Sequence, residues 1–250
     1  MAGLLAGLLG VGGGLIIVPV LAWLFVAQQL PSEIIMHLAL GTSLASIVLT
    51  SVSSSYAHHR HAAVLWPVVV SLSPGIIIGA LLGSFIADGL PSDLLRTIFA
   101  LFEIAVAMQM GFSLIPQAGR NLPGSWGRSA AGGVIGVVSS IVGIGGGTLT
   151  VPFLVFCRVS IHKAVATSAA CGLPIALAGS LGYVMMGWQN QSLPENSVGF
   201  VYLPALVTIL LTSMLFAPLG ARLAHRLPVA TLKKIFAGLL FILGVIMLAT

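Results

Sequence analysis

Twelve residues near the start of this chain recur near its middle. Residues 10–21 read GVGGGLIIVPVL and residues 143–154 read GIGGGTLTVPFL, with seven of twelve aligned positions identical. The identities are Gly10/Gly143, Gly12/Gly145, Gly13/Gly146, Gly14/Gly147, Val18/Val151, Pro19/Pro152 and Leu21/Leu154. Three consecutive glycines inside an apolar run argue against one continuous helix, because each costs about 1 kcal/mol of helix propensity relative to alanine. In a bilayer, such a break also leaves backbone N–H and C=O groups that must face protein, water or a ligand. The two breaks are expected to build the functional site.

That the surroundings are a bilayer follows from composition. Only 6% of the 250 residues are charged and 58% are hydrophobic, where soluble domains carry roughly 25% charge. Eight apolar blocks, near 2–29, 34–57, 62–87, 92–115, 127–157, 161–188, 197–222 and 229–249, each approach the roughly 20 residues of a spanning helix. The blocks are continuously apolar, without the period-two alternation of a membrane β-barrel. The fold class expected is all-α and integral to the membrane. Net charge is +5, but the ten Lys and Arg are scattered among loops. They report topology and contact with anionic lipid, and imply no nucleic-acid partner. The first ten residues lack the basic n-region and cleavage site of a secretory signal, and so are expected to belong to the fold. Cys157 and Cys171 have no CxxC spacing and read as small buried hydrophobes.

The duplication extends beyond the glycines. His37-(x4)-Thr42-Ser43 matches His162-(x4)-Thr167-Ser168, and Leu90-Pro91 ahead of Ile98-Phe99-Ala100 matches Leu227-Pro228 ahead of Ile235-Phe236-Ala237. Two pseudo-symmetric four-segment repeats follow, residues 1–115 and 129–250, joined by the polar segment 116–128. If all eight blocks cross the membrane, the ten basic residues divide seven to three between its sides. If blocks 1 and 5 are re-entrant hairpins turning at their glycines, nine share one side and Arg96 stands opposite. Re-entry gives each repeat an odd number of crossings, so the repeats are expected to be inverted, as in many secondary transporters.

A helix beginning at such a break has first-turn N–H groups without intrahelical partners and about half a positive charge from its dipole. Two such ends converging near the midplane suit a small anion. The expected substrate-binding residues are Gly12, Gly13, Gly14 and Leu15 in the first copy and Gly145, Gly146, Gly147 and Thr148 in the second. The hydroxyls of Thr42, Ser43, Thr167 and Ser168 are expected to add donors; the bland alternative is a bond back to a carbonyl four residues earlier. Pro19 and Pro152 fall inside the second arms, where a kink would free one carbonyl for a cation or water, and so are gating or coupling candidates. The structural alternative for the glycines is tight helix crossing; two matched copies favour the site.

Several further residues are candidates for gating or coupling. His37 and His162 stand near the starts of their helices, where an imidazole suits a proton-sensitive gate or a bond to a loop carbonyl. Glu103 is the one carboxylate deep in an apolar block, a position that raises proton coupling. Its second-repeat counterpart is Leu240. His58, His59 and His61 are too cramped for three ligands on one ion and are expected to be a solvated loop. No metal and no cofactor is expected. No GxxxxGK[ST] nucleotide loop occurs in the chain.

The duplicated GxGGGxLxVPxL element, within about 250 residues of four-plus-four apolar blocks, resembles the TauE/SafE sulfite exporter family of membrane proteins. The resemblance covers essentially the whole chain. It departs in one respect: nine residues precede Gly10, a shorter lead than the one before Gly143. The resemblance implies transport of small sulfur-containing anions or organic acids, such as sulfite, thiosulfate, sulfonates or related organic anions, across a bacterial inner membrane. The expectation is a secondary transporter, not an enzyme, working by alternating access. Its partners would be the anion, membrane lipid and a possible coupling proton or sodium ion. A passive anion channel is the alternative, and a membrane-embedded enzyme ranks below it for want of an evident nucleophile–base pair or metal cluster.

Overall fold

The computed structural model describes residues 13–112, 119, 121–224 and 229–249. Their elements are helices α1 (Gly14–Ala27), α2 (Ser32–Arg60), α3 (Trp66–Asp88), α4 (Ser92–Gly111), α5 (Ser125–Val142), α6 (Gly147–Phe156) and α7 (Ile161–Gly187). A two-stranded antiparallel hairpin follows, β1 (Ser197–Val198) and β2 (Val201–Tyr202), and then helices α8 (Leu203–Ala224) and α9 (Val229–Ala249). Among the described residues, α2, α3, α4 and α7 are long and apolar enough to cross a membrane. The protein is an integral membrane protein built of helices.

Punctuation in the sequence sets the helix ends. Pro31 and Pro91 stand as the N-caps of α2 and α4, and Gly89 caps the C-terminus of α3. Each proline lacks an N–H that a helix start would leave unpaired anyway. Two expectations need correction. Block 197–222 does not begin as helix: its first six residues are the β-hairpin, turned through Gly199 at φ +54°. A side chain at Gly199 would collide with the Val184 carbonyl, so glycine lets the hairpin lie flat on α7. His58, His59 and Arg60 are the last turn of α2 rather than loop, and the Trp66 indole N–H donates to His59 Nδ1 at 3.1 Å.

Helix directions can be read from close contacts. Along α2 and α7, Gly41 meets Tyr183, Leu44 meets Gly179, Ser51 meets Gly172, and the Ser55 hydroxyl donates to the Ala169 carbonyl at 3.1 Å. Numbers rise on one helix as they fall on the other, so these two helices, which carry the matching His-(x4)-Thr-Ser sequences, run antiparallel. The matching helices α4 and α9 are antiparallel too: Gly111 lies at Ala237, and Gly244 lies at Ala100 and Ile104. By contrast, α3 and α5 run parallel. Gly75 meets Ser129, Gly79 meets Gly133, and Gly83 meets Val137 and Ser140, while Gly132 and Gly136 press on the carbonyls of Leu72 and Ile76. Small residues every fourth position let the two backbones touch, as in glycine-zipped membrane helices.

Linker contacts fix which ends lie together. The Met36 N–H bonds Ser92 Oγ, and His37 Nε2 lies 3.0 Å from the Ala87 carbonyl, so α2 and α4 start where α3 ends. At the opposite end, the Leu65 N–H bonds Thr167 Oγ1 and the Gly119 N–H bonds the Phe156 carbonyl. Ser32 and Ile161, as the first residues of the antiparallel α2 and α7, therefore stand at opposite ends of that pair.

Candidate functional site

In the second copy, α5 ends at Val142, the chain turns through Gly143 at φ +67°, and α6 begins at Gly147. In the first copy, Gly13 at φ +68° caps α1. The aligned Gly146 has ordinary helical φ of −62°, so this pair of glycines differs between the copies. The arms of the second copy are unequal. Its leading arm α5 has 18 residues, about 27 Å, and only α6, with ten, is far too short to cross. Gly10 and Gly12 and the lead ahead of them lie outside the described residues.

Several N–H groups at both helix starts find no acceptor among the described residues. At α1, the Ile16 and Ile17 N–H groups both bond the Gly13 carbonyl, while those of Gly14 and Leu15 have no acceptor among the described residues. At α6, the Thr150 N–H bonds the Gly146 carbonyl, and no acceptor among the described residues takes the N–H groups of Gly145, Gly146, Gly147, Thr148 or Leu149. Gly13, Gly14, Leu15, Gly145 and Gly146 are buried, and Gly147 and Thr148 half-buried. Pro19 and Pro152 lie inside α1 and α6, where each lacks the N–H that would reach the carbonyls of Leu15 and Thr148.

The two motifs touch. A Cβ built on Gly14 would stand 2.7 Å from the Gly143 carbonyl oxygen and 3.0 Å from Ile144 Cα. Gly143 in turn packs on Leu40 and on Val18 of α1. The start of α1 therefore abuts the turn that precedes α6.

Three of the four hydroxyls on α2 and α7 have partners that neither sequence reading foresaw. Ser43 donates to the Gly143 carbonyl at 2.8 Å, anchoring the second break from a helix of the first repeat. Thr42 Oγ1 accepts the Tyr202 N–H at 3.0 Å, and Thr167 Oγ1 accepts the Leu65 N–H at 3.1 Å. Each holds the residue that precedes a helix of the other repeat, α8 and α3 respectively. Both threonine hydroxyl hydrogens stay uncommitted among the described residues. Ser168 follows the bland alternative, bonding back to Val165 at 2.8 Å.

The coupling candidates are dissimilar. His37 is buried, stacks on Phe200 at 5.0 Å between ring centres, and sets its ring nitrogens against the carbonyls of Glu33 and Ala87. His162 is exposed. Glu103 lies fully buried on α4, with neither carboxyl oxygen hydrogen-bonded among the described residues. Cys157 and Cys171 are free and buried. Sequence reasoning missed Ser139, Ser140 and Thr150, whose hydroxyls are fully buried and without partners among the described residues. For Thr150 a signal existed, since it aligns with the apolar Ile17.

The chain is 38% identical over 246 residues to a probable membrane transporter protein of Haemophilus influenzae, covering 98% of this chain and 93% of the relative. It is 27% identical to the Bacillus subtilis probable membrane transporter protein YdhB, covering 94% and 91%. A third relative, a probable membrane transporter protein of Methanocaldococcus jannaschii, is 23% identical across 99% of this chain and 92% of its own. No solved structure matches. The profile of the sulfite exporter TauE/SafE family matches residues 1–247, and the chain belongs to that family of membrane transporters.

Proposed function

We propose that this chain is a secondary transporter that carries a small sulfur-containing anion, such as sulfite, thiosulfate or a sulfonate, across the bacterial inner membrane by alternating access. The observation that carries the proposal is the meeting of two broken helices. Gly14, at the start of α1, lies against the Gly143–Ile144 turn that leads into α6, and both helix starts carry N–H groups without acceptors among the described residues. Unpaired donors buried at membrane depth are costly unless a ligand or water takes them. Two helix N-termini add partial positive charge without fixed cations. An anion held this way sheds water without binding so tightly that it cannot leave.

The antiparallel course of α2 against α7, and of α4 against α9, supports inverted repeats. Re-entry is supported by the second hairpin, because α5 starts and α6 ends on the side marked by the Gly119–Phe156 bond. In this arrangement α1 and α6 enter the middle from opposite sides, as a site open alternately to each side requires. A coupling proton or sodium ion is compatible with the reading.

The test is counterflow in proteoliposomes with purified protein, using sulfite, thiosulfate, methanesulfonate and acetate. A carrier gives saturable uptake accelerated by the same anion inside. Gly146→Leu, whose side chain would meet the Ser168 carbonyl 2.7 Å from its Cβ, should abolish that uptake while the protein remains folded and monodisperse. Flux that never saturates would replace the carrier with a channel, and uptake undiminished by the substitution would remove the site.

A further inference from the structure

We infer that Thr150 is the side-chain donor of the anion site and sets its selectivity, so that binding is asymmetric between the two pseudo-equivalent breaks. The inference rests on the transporter reading above and deepens it. Thr150 stands on the first turn of α6, its own N–H bonded to the Gly146 carbonyl at 2.9 Å. Side chains on a helix lean toward its N-terminus, which directs position 150 toward the turn of Gly146 and Gly147, where the N–H groups are unpaired among the described residues. It is fully buried, and Oγ1 has no hydrogen-bond partner among the described residues.

Its isolation is informative because other buried hydroxyls on α2 and α7 find protein partners: Ser43, Thr42 and Thr167 bond distant backbone groups. Ser46, Ser84 and Ser168 each donate to a carbonyl three residues back, at 2.7, 2.8 and 2.8 Å. Thr150 makes no such bond. A buried donor left unmade is a net cost to the fold, which a ligand acceptor removes. Ser139 and Ser140 are also unpaired, but they occupy the last turn of α5, the negative end of a helix, where an anion is disfavoured. The counterpart of Thr150 in the first repeat is Ile17, 4% exposed and without a polar atom in its side chain. The first break thus offers backbone alone, and the second offers backbone plus a hydroxyl. Such a set fits an oxyanion, whose several oxygens can accept from both, better than a halide.

The experiment is sulfite, thiosulfate and methanesulfonate counterflow by Thr150→Val, Thr150→Ser and Ser139→Ala beside the unchanged protein. Thr150→Val keeps the shape and removes the donor. It should raise KM about tenfold, the equivalent of one hydrogen bond, with thermal stability unchanged or improved. Thr150→Ser should restore KM to within about threefold, and Ser139→Ala should leave it unchanged. If the unchanged protein shows saturable counterflow and Thr150→Val has the same KM, or loses flux only in step with stability, the inference is overturned while the transporter reading stands. If the unchanged protein carries none of the anions, the transporter reading falls and this inference with it.

Discussion

Gly14→Ala tests the contact on which the site depends. Gly14 is the first residue of α1, with ordinary helical backbone, so alanine meets no conformational penalty there. Its Cβ, however, would stand 2.7 Å from the Gly143 carbonyl, 3.0 Å from Ile144 Cα and 3.3 Å from Ile47 Cδ1. The first two neighbours are backbone, and Ser43 fixes that carbonyl with a 2.8 Å hydrogen bond. Relief requires moving one break away from the other, and overpacking of this kind costs about 1–3 kcal/mol. For a chain of this size that lowers Tm by roughly 2–4 °C per kcal/mol. Gly238→Ala on α9 is the matched control: nothing lies within 4 Å, and alanine gains up to about 1 kcal/mol of helix propensity. One chemical change is thus expected to act with opposite sign at two glycines. Ser43→Ala frees the Gly143 carbonyl, so the double variant should depart from additivity by about 0.5 kcal/mol or more. The readout is thermal unfolding of purified protein in detergent, with counterflow alongside. If Gly14→Ala is as stable as Gly238→Ala, or simply additive with Ser43→Ala, the two breaks do not touch.

Two further predictions concern the frame around the site. Gly79→Ala should destabilise the protein by about 1–3 kcal/mol or more, since its Cβ would collide with the Gly133 carbonyl in the α3–α5 seam. A thermal-shift series in detergent, with Gly238→Ala as reference, checks this; an unchanged Tm would mean that the helices are farther apart. Single cysteines at Glu33 and Arg158, in a background without Cys157 and Cys171, should label from opposite sides of oriented vesicles, because α2 and α7 begin at opposite ends. Labelling from the same side would restore eight full crossings.

The broad architecture was legible because its signals are local. Apolar length marks the helices, Leu90-Pro91 and Gly89 mark a turn, and the repeated glycines mark a break wherever they occur. The hairpin at 197–202 was not legible, because Val198, Val201 and Tyr202 are as apolar as any span. What distinguishes them is contact: Gly41, Gly187 and Gly199 leave room for backbone against backbone around Phe200. The roles of Thr42 and Thr167 were half legible. Their duplication flagged them, but their partners, Tyr202 and Leu65, lie 160 and 102 residues away and follow only from how the repeats pack. The unpaired state of Thr150 is likewise a fact of packing, since one turn of helix normally offers a hydroxyl its own carbonyl.

Those long-range bonds also bear on what can move. Simple rocking would carry residues 1–115 as one body against 129–250 as another, yet α3 of the first repeat is zipped to α5 through glycines at which any side chain meets backbone. The same helix is tied at its start to Thr167 on α7 and packs along that helix, where Ser84 meets Gly182. Such a seam slides only at the cost of lost backbone-to-backbone packing, far more than a lipid-facing contact. The α2–α7 crossing is different: apart from the Ser55–Ala169 hydrogen bond, its meeting points at Leu44 and Gly179, and at Ser51 and Gly172, are side chain against glycine. In the proposed carrier, the crossing better suited to yield is therefore α2 against α7 rather than α3 against α5. The Ser43–Gly143 bond and the Gly14–Gly143 contact lie beside that crossing, at the proposed anion site. A carrier needs such a placement, because the contacts that exchange during transport are then the same ones that the substrate feels.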